Sequence, residues 1–347
     1  MFKKVIDIFE CKDGDILANE ITNKYGAAIV TKDTIITEYM KQKLQDMGVS
    51  HVSIYQTNMV NQYYNDVRHK NFTIDYYKNL KGIKQIIKDL AAGKGIDYLK
   101  IKDISDTLYN KVNNDTNIAS NLSKLRKYDE DTFSHCLNVS IYAALLGKWL
   151  GLTKDEIKDL VHAGILHDIG KMGISKDILN KKGSLLPGEY EIIKEHAVLG
   201  YNMVKDIDII SDQVKNAVLM HHERADGTGY PFGYRLNQLD LFSKSIAIVD
   251  VYDAIISNRA YKKRSTPFEA FEWFLGPGLA FFDIQLVSIF FKNISCSYVG
   301  ARVLLNSGAV GEIVYIPPHN ISKPILRMHS SYIDLSEQAN TRIVMME

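Results

Sequence analysis

Six of the ten histidines fall in one window: His135, His162, His167, His196, His221 and His222. Imidazole is the commonest side-chain ligand for transition metals, so this clustering points to a metal site. The carboxylates sharpen the reading. His167 and Asp168 are neighbours at the end of an apolar run, in Leu166-His167-Asp168-Ile169-Gly170-Lys171. Neighbours on a helix project about 100° apart, so both can reach one cluster. An imidazole offers a metal one nitrogen, whereas a carboxylate has two oxygens and can bridge two ions. Gly170 permits a sharp backbone turn. Lys171 sets a positive charge where an anionic substrate would need one. Asp250, in Val249-Asp250-Val251-Tyr252-Asp253, is an acid in an apolar helix, where an unpaired charge is expensive to bury. His221 and His222 diverge from one point and are followed by Glu223 and by Asp226-Gly227-Thr228-Gly229-Tyr230-Pro231. That loop is glycine-permitted and carries one aromatic, which could stack on a base or pack on the loop itself.

The elements around these residues read as mainly α. Phe133, Leu137, Ile141, Leu145 and Trp149 form an apolar stripe ended by Gly151. Thr153 with Glu156 predicts a capping box for a helix running into Leu160, Val161, Ile165 and Leu166. Pro187 and Glu189 open a further helix predicted to continue through His196. Before this core, residues 1–60 read as a small α+β unit, with strand-like runs at Val5–Ile8, Ala27–Val30 and Val52–Tyr55 and a helix closed by Gly48. Residues 61–125 read as a helical connector broken at Gly93 and Gly95, 126–293 as the helical core, and 294–347 as a β-rich extension with a hairpin at Asn306-Ser307-Gly308.

The chain has 347 residues, 46% of them hydrophobic, enough for a sizeable core and more than one domain. Its formal charge of +1 leaves no global basic field to recruit nucleic acid. Cys11, Cys136 and Cys296 stand far apart, which disfavours a disulfide framework or zinc knuckle and fits a reducing compartment. With neither a signal-peptide core at the start nor a membrane-span pattern, the expected location is cytoplasmic.

The motifs His-Asp-Ile-Gly-Lys at 167–171 and Gly-Tyr-Pro at 229–231, in this order and at these intervals, resemble the HD-GYP family, a branch of the HD phosphohydrolase superfamily that hydrolyses cyclic di-GMP. The resemblance covers about residues 126–293. It implies a helical HD-type bundle and two or three divalent ions, iron or manganese first and zinc as the alternative. It implies metal ligands at His135, His167, Asp168, His196, His221, His222 and Asp250. Asp168 and Lys171 become catalytic residues. Lys171, Arg259, Lys262 and Tyr230 become substrate contacts, with arginine suited to a bidentate phosphate contact and lysine to a point charge. Asp253 reads as a partner that supports a ligand rather than as a ligand.

Family members with three ions use a glutamate four residues before the first histidine. Here that position is Asp131, one methylene shorter, on the same helix face as His135. The competing role for Asp131 is a first-turn acid favoured by the helix dipole. His162 reads as a hydrogen-bonded helix histidine, and His51, His69, His319 and His329 as residues outside the cluster. The activity so implied is hydrolysis of cyclic di-GMP to pGpG, and on to GMP where a third ion is held, by a metal-bridging hydroxide attacking phosphorus. The alternatives are a cyclic dinucleotide receptor or scaffold with little turnover, and a phosphodiesterase for another cyclic dinucleotide. A di-iron oxygenase is disfavoured by the Gly-Tyr-Pro loop. A homodimer, or a diguanylate cyclase docked on that loop, are the partners the resemblance implies.

Overall fold

The computed structural model describes residues 3–12, 15, 17–22, 28–30, 36, 38–55, 57–114, 118, 121–122, 132–181, 183–257, 265–329 and 331–346. Asp131, Arg259 and Lys262 lie outside the described residues. The chain forms two compact units, Met1–Asp75 and Tyr76–Glu347.

In the first unit, β1 (Lys3–Asp7) pairs antiparallel with β4 (His51–Tyr55), and β2 (Ile21–Thr22) pairs with β3 (Ala28–Val30). Helix α1 (Glu38–Asp46) ends before Gly48, whose φ of 77° suits a residue without Cβ. Ile6, Ile8, Leu17, Ile36, Leu44, Val52 and Ile54 close into one apolar core.

Helix α2 (Thr57–Ala91) passes residue 60 without a break and stops before Gly93, φ 74°. Its last turns bury Ile83, Ile86, Ile87 and Leu90, and Tyr76 donates to Asn138 Oδ1 at 2.9 Å. Helix α3 (Tyr98–Asn114) buries Ile101, Ile104, Leu108 and Val112, spaced three or four apart. Residues 76–114, expected as part of a connector, are therefore packed into the second unit. They have an apolar face to bury.

Helix α4 (Thr132–Trp149) is buried nearly all round, as a central helix should be. Helix α5 (Lys154–Leu166) begins with the predicted Thr153–Glu156 capping box. The two helices touch backbone to backbone: a Cβ on Gly164 would lie 2.6 Å from Ser140 Cα. A short 3-10 turn (Ile169–Gly173) and α6 (Lys176–Leu179) follow. The helix expected from Pro187 through His196 is two helices, α7 (Pro187–Lys194) and α8 (His196–Val204). They divide at Glu195, whose N–H bonds three residues back, to Ile192 O, at 3.2 Å. That tight turn re-aims the chain just before His196. Then come α9 (Asp212–Met220), α10 (Leu241–Ile256), α11 (Pro267–Leu275) and α12 (Ile284–Cys296). An aromatic core holds α10: Tyr252 packs on Tyr142, Phe290 and Phe291, and its hydroxyl meets that of Tyr298 at 2.8 Å.

The C-terminal strands β5 (Arg302–Leu305), β6 (Val310–Tyr315), β7 (Ile325–Arg327), β8 (Tyr332–Asp334) and β9 (Ile343–Met346) form one antiparallel sheet in the order β8-β7-β6-β5-β9. The expected β5–β6 hairpin is present. The last strand does not extend the meander but returns beside β5. No helix among the described residues is long and apolar enough to cross a membrane.

Gly170 is needed for closeness rather than for a turn. A Cβ there would lie 1.9 Å from His196 O and 2.5 Å from Gly200 N, both backbone atoms of α8. Gly170→Ala should lower stability by about 2–3 kcal/mol, because neither partner is a movable side chain. Denaturant unfolding of the metal-free protein reads the change, and an unaltered midpoint would contradict this account.

Candidate metal centre

The cluster is assembled from helix ends. His135 lies in the first turn of α4, His167 caps the C-terminus of α5 with Asp168 next, and His196 is the first residue of α8. His221 caps the C-terminus of α9 with His222 next, and Asp250 and Asp253 come from the buried length of α10. Two groups result: Asp168, His196, His221 and His222, and His135, His167 and Asp250. Within each group the candidate donor atoms lie within 4.8 Å of one another.

Backbone carbonyls set the histidine tautomers. His167 Nδ1 donates to Gly164 O (2.9 Å), His196 Nδ1 to Ile193 O (2.6 Å) and His221 Nδ1 to Val218 O (2.9 Å). A carbonyl only accepts, so the proton of each neutral ring sits on Nδ1 and a bare lone pair on Nε2. Those lone pairs converge. The Nε2 atoms of His196 and His221 are 3.3 Å apart. His167 Nε2 and Asp168 Oδ1 are buried without a hydrogen-bond partner. His196 Nε2 is 3.4 Å from that oxygen but aims a lone pair, not a proton, at it. Converging lone pairs in a buried site repel unless a cation stands between them, so these donors fit divalent ions.

The two acids join the groups. Asp168 turns Oδ1 toward His196 and Oδ2 toward His167 (3.5 Å) and His135 (3.8 Å). Asp250 turns Oδ1 toward His135 (3.0 Å) and Oδ2 toward His222 (4.0 Å). Lys171 donates to Asp168 Oδ2 at 2.5 Å.

Electrostatics prepares the donors. Burial opposes ionisation of Asp168, but the Lys171 ammonium and the surrounding rings outweigh it and hold the carboxyl well below its usual range. Burial likewise opposes ionisation of Asp250, and the His135 hydrogen bond outweighs it. His167 and His196 are pushed down by burial, and His221 and His222 far down by burial and by their histidine neighbours. His135 alone goes up. Burial opposes its charge, yet its bonds to Asp250 (3.0 Å) and Asp253 (2.7 Å) raise it to about 9.

Sequence reasoning named Glu223 without giving it a role. Its carboxylate is buried and accepts from Phe232 N (2.7 Å) and Tyr234 N (2.9 Å), tying the loop's far arm to the His221–His222 turn. Gly229 lets the near arm approach: a Cβ there would lie 2.4 Å from Glu223 Cα. Tyr230 is thereby laid on the His222 ring, with centroids 4.7 Å apart and planes 29° apart. Arg224, also unremarked, donates to the Glu223 carbonyl at 3.0 Å and lies over Phe282. The only signal for either was adjacency to the paired histidines. His162 stays out of the cluster as expected, and its Nδ1 lies 3.4 Å from Asp159 Oδ1, one turn away on the helix.

Comparisons with known proteins agree with this architecture. The family model described as "HD domain" matches residues 112–276. A Pseudomonas aeruginosa protein named a cyclic di-GMP phosphodiesterase is 36% identical over 236 residues, covering 67% of this chain and 56% of its own. A Thermotoga maritima protein of the same name is 32% identical over 173 residues, covering 49% of this chain and 47% of its own. The chain thus spans about half the length of the curated relatives it matches. The structure of an HDG"Y"P protein from Bdellovibrio bacteriovorus shares the fold, with TM-score 0.50 at 16% identity over 83% of this chain and 98% of that one. The chain carries an HD domain. Its His167-Asp168 doublet and Gly229-Tyr230-Pro231 loop are the motifs by which it resembles the HD-GYP family.

Two measurements follow. In the metal-free protein the His135 proton stabilises the fold fully below the unfolded value of about 6.5, and that contribution is lost as pH rises through about 9. An ion ligated by His135 must displace the proton, so uptake at pH 7 should release about one proton and affinity should rise with pH up to about 9. Calorimetry in two buffers of different ionisation enthalpy reads this, and buffer-independent heats would contradict it. Glu223→Gln loses one of two backbone acceptors. It should lower stability by about 1–3 kcal/mol and shift the near-ultraviolet signal of the tyrosines, with metal content retained.

Proposed function

We propose that this chain is a metal-dependent phosphodiesterase that hydrolyses cyclic di-GMP to pGpG. The observation that carries the reading is Asp168: a buried, ionised carboxylate with one oxygen toward each histidine group and the Lys171 ammonium against it. Relatives named cyclic di-GMP phosphodiesterases support the substrate. In the reaction, water oxygen bonds to phosphorus and the P–O3′ bond breaks, leaving a 5′-phosphate and a free 3′-hydroxyl. Divalent ions, iron or manganese first and zinc as the alternative, would supply a water of lowered pKa and neutralise charge on the phosphoryl oxygens.

The chain's own residues do the rest. His135, His167, His196, His221, His222, Asp168 and Asp250 hold the ions. Asp253 takes the Nδ1 proton of His135 and so turns its Nε2 inward. Lys171 steadies Asp168 and offers its charge to the phosphoryl group. Tyr230 presents a ring to the substrate from the loop. Arg259 and Lys262 are assigned phosphate contacts, and Asp131 a third ion that would carry hydrolysis on to GMP. This reading carries a cytoplasmic location, and a second copy or a diguanylate cyclase as the partner docked on the loop.

Asp168→Ala should cut turnover by about a thousandfold or more and lower bound metal, because both histidine groups share that side chain. Elemental analysis of protein purified without air, with a nucleotide turnover assay, reads both. Near-normal hydrolysis at full metal occupancy would sink the two-ion reading. Binding of cyclic di-GMP by metal-loaded wild type without turnover would replace the enzyme with a receptor. Arg259→Ala and Lys262→Ala should raise KM and leave metal content alone. Asp131→Ala should lower the metal count and slow pGpG hydrolysis more than ring opening. Equal metal in mutant and wild type would leave Asp131 a first-turn acid.

A further inference from the structure

Beside the cluster, α7 carries two residues to which nothing above gives a role. Lys194 Nζ lies 4.8 Å from the ring centroid of Tyr190 and 5.7 Å from that of Tyr230. Tyr230 itself stacks on His222, so one aromatic ring separates the Lys194 ammonium from a candidate metal ligand. Tyr190 is 47% exposed and free to receive a second flat face. The same ammonium touches both rings, so Tyr190 is placed beside the loop that carries Tyr230.

The lysine is aimed but not consumed. Its carboxylate partner is Glu191 at 2.8 Å, a side chain 67% exposed. An exposed pair of this kind is weak and can be exchanged for another anion. The two rings hold the ammonium beside the loop.

A cyclic dinucleotide has two phosphodiesters and two purines. Asp168, Lys171 and the histidines can serve one phosphodiester. The other half needs a cation for its phosphate and a flat surface for its base. We propose that Lys194 and Tyr190 form that subsite, the lysine meeting the phosphate that is not cut and the tyrosine ring stacking on its base. The proposal rests on the phosphodiesterase reading and adds to it what distinguishes a cyclic dinucleotide from a simple phosphodiester.

The test compares two substrates. For Lys194→Met, KM for cyclic di-GMP should rise about tenfold, with kcat within about twofold of wild type. Metal content, and hydrolysis of bis(p-nitrophenyl) phosphate, which has neither second phosphate nor purine, should not change. Tyr190→Ala should behave alike, and Tyr190→Phe should restore the wild-type KM because the ring suffices. Unchanged KM in Lys194→Met and Tyr190→Ala overturns the subsite. An equal loss on the simple phosphodiester, or loss of metal, also overturns it, since these side chains would then be structural. Calorimetric binding of a hydrolysis-resistant phosphorothioate analogue of cyclic di-GMP to the metal-loaded wild-type protein separates this from the fate of the enzyme reading. Tight binding by a protein with no wild-type turnover, weakened by Lys194→Met, would refute the enzyme and keep the subsite. No binding at all would refute both.

Discussion

A carboxylate ionised in the dry interior of a helical bundle is the constraint around which the second unit is arranged. Asp168 is buried, and an uncompensated charge at such a place is worth several kcal/mol against folding. The metal-free chain compensates it in part, with the Lys171 ammonium at 2.5 Å and the doubly bonded His135 ring nearby. The remaining oxygen, Oδ1, has no proton donor. His167, His196 and His221 offer that oxygen no proton, because their N–H groups are committed to backbone carbonyls on the far side. What protein side chains leave undone here is work for a cation: the acids are ionised and the buried rings other than His135 are held toward the neutral form.

Preforming such a site demands accurate placement of helix ends, and the bundle secures it by two devices. One is close backbone contact at glycines. Gly164 admits α4 against α5, and Gly170 admits the turn after Asp168 against the start of α8, which is where His196 sits. The other is a large aromatic core under α10, in which Tyr142, Tyr252, Phe290 and Phe291 fix the helix that carries Asp250 and Asp253. The carbonyls that set the tautomers come from the last turns of α5, α7 and α9. Helix ends therefore supply the candidate histidine donors and the acceptors that orient three of them.

This division explains what was legible in the sequence. The gathering of histidines pointed to a metal site because metal chemistry restricts residue type; the seven candidate donors came from the family resemblance, and the fold brings them together. The capping box at Thr153, the stop at Gly48 and the β5–β6 hairpin were legible because each is a local matter of neighbouring residues. The break at Glu195 was not, since the residues from Pro187 to Val204 form a continuous helical pattern and the division shows only in the folded backbone. Gly170 was read correctly as necessary but for the wrong reason, because its close neighbour lies across the bundle and not along the chain. Glu223 was unreadable for the same cause: the amides it holds lie nine and eleven residues ahead, in a loop whose path only the folded chain defines. The return of β9 to pair with β5 is another long-range choice that local pattern does not encode.

The Gly-Tyr-Pro loop then has a physical job separable from the metals. Its far arm is bonded to Glu223, one residue beyond the two histidines, and its near arm to the His222 carbonyl through Tyr230 N at 3.2 Å. Tyr230 lies on His222 at stacking distance, and burial pushes its phenol up, keeping the ring uncharged. Were cations held at the cluster, a neutral aromatic surface beside them would favour ligands that combine a flat apolar face with a negative charge. The aromatic surface belongs to the loop and the candidate donors to the helices, so a change in the loop sequence can alter the first without replacing the second.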